Sequence, residues 1–111
     1  MEPIDVVMLT KDSEGLLGKC LQSVYHNIPV KRLIVVDGSS EDSTLSILKA
    51  FNDKFGNIEI ITENGSRAKA RQTGIEHVKT PWFSFVDSDV ILCRNWAEKA
   101  ERQIKTDVGA I

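Results

Sequence analysis

Asp87 and Asp89 stand two residues apart where the apolar run Trp82 to Val86 ends, in the segment WFSFVDSDVIL. Aromatic and β-branched residues without an interrupting charge mark that run as a buried strand. In an extended chain, side chains two apart point the same way, so both carboxylates face one side just as the strand leaves the core. Two like charges this close repel, and such pairs are usually held for a cation or for sugar hydroxyls. Read alone, a D-x-D is common by chance, and acidic punctuation of a strand end is the simpler reading.

The rest of the chain supplies further strands of the same kind, each ending in polar residues. Ile4 to Leu9 is apolar and β-branched and runs into Thr10 and Asp12. Arg32 to Val36 ends on Asp37-Gly38 and Ser39, and Ile58 to Ile61 ends before Glu63 and Asn64. Between them lie helical patterns. Leu16, Leu17, Cys20, Leu21 and Val24 recur at helical spacing from about Glu14 to His26, with Ser13 as N-cap and Pro29 as the stop. Ser39 and Ser40 are expected to cap a second helix with a Leu45, Leu48, Phe51 stripe, closed by Gly56-Asn57. A third helix from about Ser66 to Val78 carries Ala70 and Gly74, small enough for close packing on a sheet. A fourth, roughly Asn95 to Lys105, pairs Glu98 with Arg102 and Glu101 with Lys105 on a solvated face, and Val108 to Ile111 opens a fifth strand.

Short apolar strands alternating with helices predict an α/β domain: a Rossmann-like parallel sheet covered by helices on both faces. In such sheets ligands bind beyond the carboxyl ends of the strands, where strand order reverses. The polar strand ends should therefore open onto one acidic, hydroxyl-rich rim suited to sugars, ribose and a divalent cation.

Bulk properties narrow the partners. The 111 residues form one domain of ordinary globular composition, 41% hydrophobic and 27% charged. A net charge of −2 argues against nucleic acid, and the small RAKAR cluster (Arg67, Lys69, Arg71) reads as a solvated helix face. No apolar run approaches the length of a membrane span, MEPIDVV has no basic-then-apolar leader, and a cytoplasmic location is expected. Cys20 and Cys93 have neither zinc-site spacing nor disulfide density, and Cys20 is expected as a core thiol. Trp82 and Trp96 are expected as anchors. His26 and His77 lie near helix ends, where imidazoles suit backbone carbonyls. The first strand is followed by TKDSEG rather than G-x-G-x-x-G, and no G-x-x-x-x-G-K-[ST] occurs, which removes the dinucleotide and P-loop sites. Without a glycine cradle, a bound diphosphate would need a metal ion. Asp87 and Asp89 offer hard oxygen ligands suited to Mg²⁺ or Mn²⁺.

Four segments in order, TKDSEGLLGKCLQSV, LIVVDGSSEDST, GSRAKARQTGIE and FSFVDSDVIL, resemble the N-terminal half of the GT-A-fold glycosyltransferases of family 2. The resemblance implies a metal-assisted, inverting transfer of sugar from a UDP- or GDP-linked donor to an unknown acceptor, a glycan or a lipid-linked molecule. It implies that Thr10, Asp12 and Glu14 border the nucleotide base and that Asp37 accepts a hydrogen bond from it. It also implies that Arg71 lies near the nucleotide, that Asp87 faces ribose or metal-bound water, and that Asp89 coordinates the metal. Lys11 stands where the family often has an aromatic, and Gln72 replaces a frequent asparagine.

Family members continue into an acceptor-binding half that supplies the catalytic base, and no residue here matches that base. The chain is thus expected to be the N-terminal portion of a larger glycosyltransferase domain, at the membrane surface if the larger protein is, or a short relative. A truncated sheet would expose a strand edge and favour self-association. The alternative is a non-catalytic nucleotide-sugar-binding or assembly domain. A receiver-like phosphoacceptor fits poorly, because Thr10 and Thr62-Glu63 stand where it needs acidic residues.

Overall fold

The structure, a computed structural model, describes residues 2–92. The helix expected at 95–105, the strand at 108–111, Cys93 and Trp96 lie outside the described residues. Seven elements follow in order: β1 (Ile4–Thr10), α1 (Glu14–Asn27), β2 (Val30–Asp37), α2 (Thr44–Phe55), β3 (Ile58–Thr62), α3 (Arg67–Glu76) and β4 (Phe83–Phe85). All four strands pair in parallel, in the order β3-β2-β1-β4.

The two central strands are apolar on both faces because both faces are covered. Val6 and Met8 of β1 and Leu33 and Val35 of β2 join Leu17, Cys20, Leu21 and Val24 of α1 and Leu48 of α2 in one core. Val7 and Val36, which alternate with them, meet Gly74 of α3 on the opposite side. The expected two-faced covering is therefore present, and Cys20 is the fully buried core thiol the helical pattern indicated. Gly74 has a packing reason: a Cβ there would lie 2.5 Å from Val7 Cγ1 and 3.4 Å from Val36 Cγ2.

The helix starts differ in part from expectation. Ser66 caps α3 through its hydroxyl, which accepts from the Lys69 amide at 3.1 Å. Ser13 precedes α1 but does not cap it with its side chain. Instead the N-termini of α1 and α2 satisfy one another. The Glu14 amide donates to Asp42 Oδ2 (3.2 Å), the Ser43 amide donates to Glu14 Oε2 (3.1 Å), and the Ser13 amide donates to Thr44 Oγ1 (2.7 Å). Helix α2 thus starts at Thr44, after Ser43, and Ser39 and Ser40 are not its caps. Asp42 takes over that role by accepting the Thr44 amide at 2.9 Å, which leaves Ser39 and Ser40 free to shape the loop after β2. Gly56 closes α2 in the left-handed conformation (φ 72°) that glycine adopts without a steric penalty.

At the amino ends of the strands, buried Asp5 anchors the entry into β4. Its Oδ2 accepts the Lys79 and Thr80 amides (2.7 and 3.3 Å) and faces Arg32 at 3.4 Å. Arg32 also pairs with Glu59 at 2.9 Å and donates to the His77 carbonyl. The His77 ring meets the Thr73 carbonyl at 2.8 Å, as its place at a helix end suggested.

Candidate functional site

The chain runs outward from β1 through β2 to β3, then returns to place β4 on the other side of β1. Beyond the carboxyl ends of these strands lies a cleft of about 820 Å³, where an open parallel sheet takes its ligand. Four loops wall it. The loop after β1 brings Thr10, Lys11, Asp12 and Ser13, that after β2 brings Gly38, that after β3 brings Glu63 to Arg67, and the turn after β4 brings Asp87, Ser88 and Asp89.

Of the residues the sequence nominated, Thr10, Asp12, Asp87 and Asp89 meet in this cleft. Asp37 sits just behind it and is buried. Its Oδ1 accepts the hydroxyls of Thr10 (2.6 Å) and Ser40 (2.7 Å), and its Oδ2 accepts the Ser40 amide at 2.8 Å. Burial alone would raise the Asp37 pKa. The Thr10 and Ser40 hydroxyls, the Ser40 amide and the nearby Lys11 charge outweigh it and hold the carboxyl below its ordinary value. A carboxylate accepts about four hydrogen bonds, so Oδ2 keeps capacity for one more donor, although Asp37, unlike its neighbours Val36 and Gly38, does not itself line the cleft.

Glu14 and Arg71 are not among the cleft-lining residues. The Glu14 carboxylate is turned to the start of α2. Arg71 lines a neighbouring, largely apolar crevice of about 350 Å³ with Val7, Leu9, Phe85 and Asp87. Leu9 and Asp87 border both spaces, so Arg71 approaches the site from the α3 side of the sheet.

Two groups carry more of the wall than the sequence indicated. Lys11 lays its stem over Gly38, where a Cβ would come within 3.3 Å of Lys11 Cδ, and its ammonium donates to the Ser39 carbonyl at 3.1 Å. It sets a cation on this wall. Arg67, in the cluster that the sequence reads as a solvated face, lines the cleft from the first turn of α3. The signal for it lay in E-N-G-S: Gly65 turns so tightly that a Cβ would meet Lys69 Cδ at 2.8 Å, and that turn aims the start of α3 at the cleft.

The carboxylates of Asp87 and Asp89 are exposed, and no hydrogen bond or ion pair among the described residues engages either. Nor do three or more metal-ligating side chains converge anywhere among the described residues. Two free hard oxygen donors fit a Mg²⁺- or Mn²⁺-type cation that completes its shell with water and ligand oxygens, and do not fit a closed protein cage.

The family model for glycosyl transferase family 2 matches residues 5–111. Among curated proteins, the chain is 33% identical over 92 residues to a poly(ribitol-phosphate) beta-glucosyltransferase of Bacillus spizizenii, covering 78% of this chain and 14% of that protein. It superposes on S. aureus TarS 1-349 in complex with UDP with a TM-score of 0.77 at 24% identity, covering 95% of this chain and 32% of that one. It superposes equally on the mannosyltransferase PcManGT from Pyrobaculum calidifontis in complex with GDP-Man and Mn²⁺, with a TM-score of 0.78 at 19% identity over 96% and 33% of the two chains. The chain thus spans well under half the length of these relatives. Its four parallel strands have the GT-A architecture. With the family pattern running through every strand end that walls the cleft, the chain belongs to glycosyl transferase family 2.

Proposed function

We propose that this chain forms the donor-binding part of a glycosyltransferase, taking a UDP- or GDP-linked sugar together with Mg²⁺ or Mn²⁺. One observation carries the reading. The cleft at the strand-order reversal gathers the free carboxylates of Asp87 and Asp89 after edge strand β4, Thr10 and Lys11 beside them after β1, and Arg67 beyond β3 at the other edge. That division suits a molecule with a polar nucleoside at one end and a diphosphate at the other. Neighbours of the same fold that bind UDP, or GDP-mannose with Mn²⁺, support it.

Each group then has a role. Asp37 accepts an N–H of the base through the free position on Oδ2, with Thr10 and Ser40 holding its carboxylate ionised and oriented. Asp12 borders the nucleoside, and Arg71 reaches the ligand from the far side of Leu9 and Asp87. Glu14 braces this wall by capping α2. Asp87 faces ribose or metal-bound water and Asp89 holds the metal. The metal supplies Lewis-acid neutralisation of the diphosphate charge. The reaction is an in-line displacement: the acceptor oxygen bonds to the anomeric carbon as the bond to the diphosphate oxygen breaks, with inversion of configuration. The acceptor proton goes to a base that none of the described residues supplies.

Calorimetric titration with UDP and with GDP, each with Mn²⁺ and with a chelator, tests the reading. Binding that Mn²⁺ strengthens at least tenfold, a difference of about 1.4 kcal/mol, and that Asp89→Ala returns to the chelated value, is the expected result. Undiminished affinity in Asp89→Ala, or no effect of Mn²⁺, would remove the metal role.

A further inference from the structure

The turn that carries Asp87 and Asp89 is held less by the sheet than by one helix. The parallel ladder reaches Val86, whose amide donates to the Val7 carbonyl at 3.0 Å, and a local bond from the Val90 amide to the Asp87 carbonyl (3.1 Å) then bends the chain. From there three side chains at the start of and along α1 take hold of successive points of the turn. Ser88 donates its hydroxyl to Ser13 Oγ at 3.1 Å. The Cys20 thiol donates to the Asp87 carbonyl at 3.3 Å. The Leu92 amide donates to Ser23 Oγ at 3.0 Å. Positions 13, 20 and 23 are seven and three residues apart, spacings that return to one side of a helix.

Each contact is built so that donor and acceptor are fixed. Ser23 spends its own hydrogen on the Cys20 carbonyl at 2.8 Å, which turns its lone pairs toward Leu92. A carbonyl oxygen can only accept, so the fully buried Cys20 thiol is the donor in its contact with Asp87. Ser13 belongs to the loop after β1, so its contact with Ser88 links the nucleoside wall to the acidic turn. The turn needs such support. Its two carboxylates repel each other and have no partner among the described residues to keep them in place.

We propose that Ser13, Cys20 and Ser23 are positioning residues that clip the Asp87–Leu92 turn to α1 and so fix the direction in which its two carboxylates enter the cleft. The role toward the metal rests on the donor-site reading; the clip itself does not. An alanine at Cys20 or Ser23 removes one hydrogen bond to the turn and little volume (at Ser23 the bond within α1 to the Cys20 carbonyl goes as well), and one such bond corresponds to about three- to tenfold in an equilibrium.

The test measures two quantities in the whole chain and in Cys20→Ala and Ser23→Ala. Hydrogen exchange at the Val90 and Leu92 amides in metal-free protein is expected to quicken by about three- to tenfold. The Mn²⁺-dependent gain in UDP affinity is expected to shrink by a similar factor, while UDP binding in chelator stays unchanged. Cys20→Ser and Ser23→Thr keep a donor and an acceptor and are expected to restore both quantities. Unchanged exchange in both alanine variants would overturn the clip. Faster exchange with an undiminished Mn²⁺ gain, or an equal loss of affinity with and without Mn²⁺, would overturn its positioning role. Absence of any Mn²⁺-dependent UDP binding in the unsubstituted chain would instead overturn the donor-site reading, and the exchange rates would still decide whether α1 holds the turn.

Discussion

The Thr10 hydroxyl donates to Asp37 Oδ1 across 2.6 Å, joining the last residues of the two central strands. The two residues are direct partners in the β1–β2 register. The sheet therefore presents at its ligand edge an oriented carboxylate whose charge is balanced by hydroxyls and an amide rather than by a buried cation.

This arrangement makes stability depend on pH. The folded Asp37 carboxyl titrates below its ordinary value, so its contribution is complete above the unfolded value of about 3.9 and is lost as pH falls through the folded value. Denaturant unfolding between about pH 7 and pH 3 is expected to show an acid limb that is shallower in Asp37→Asn. An identical limb in that variant would assign the acid sensitivity to other carboxylates.

Glu14 separates bracing from ligand contact. Its carboxylate accepts the Ser43 amide at the start of α2 and does not line the cleft. Glu14→Ala is expected to cost about 1 kcal/mol of stability, the usual value of a lost N-terminal cap. UDP affinity should stay within about twofold, below 0.5 kcal/mol. A large loss of affinity with no loss of stability would place Glu14 on the ligand.

Gly74 sets the distance between α3 and the sheet. A Cβ there would fall 2.5 Å from Val7 Cγ1, so Gly74→Ala is expected to destabilise by about 1–3 kcal/mol through overpacking. The double variant with Val7→Ala should recover part of that cost, because the two positions share one contact. Additive losses in thermal unfolding would show that the strain lies elsewhere.

Arg32 compensates a carboxylate that has no access to solvent. Asp5 is fully buried, and its Oδ1 has no hydrogen-bond partner among the described residues. Arg32→Met leaves that charge facing only the Lys79 and Thr80 amides and is expected to cost about 3 kcal/mol, as for a broken buried pair. Adding Asp5→Asn should return much of the loss, which equilibrium denaturation of the two variants would measure.

The sequence made some of these features legible and hid others for physical reasons. Strands such as Ile4 to Leu9 and Arg32 to Val36 announce themselves, because burial on both faces demands unbroken apolar residues. Asp87 and Asp89 could be assigned to the cleft, since their place at a strand end is a local fact. Ser39 and Ser40 could not. Their S-S pair reads as a helix cap, and the actual cap, Asp42, takes its meaning from Glu14, a residue 28 positions away. The bracing role of Glu14 was hidden for the same reason, its partner being Ser43 at the start of another helix. Arg67 was hidden by its charged neighbours, which made a cleft-lining side chain look like part of a solvated face.

Asp12 and Ser39 both hold positive φ angles, 45° and 60°, in the loops after β1 and β2. Those conformations interlock the loops: the Asp12 amide donates to Ser40 Oγ (2.8 Å), the Glu41 amide donates to Asp12 Oδ1 (2.7 Å), and Lys11 reaches the Ser39 carbonyl. The consequence is mechanical. The two loops form a single plate across the middle of the strand edge, and it is pinned at both ends: the Ser39 hydroxyl donates to Asn64 Oδ1 in the loop after β3, and the Ser88 hydroxyl of the turn after β4 donates to Ser13 Oγ. A ligand therefore meets a rim braced from one edge of the sheet to the other, and a change of girth at one strand end is felt at its neighbours.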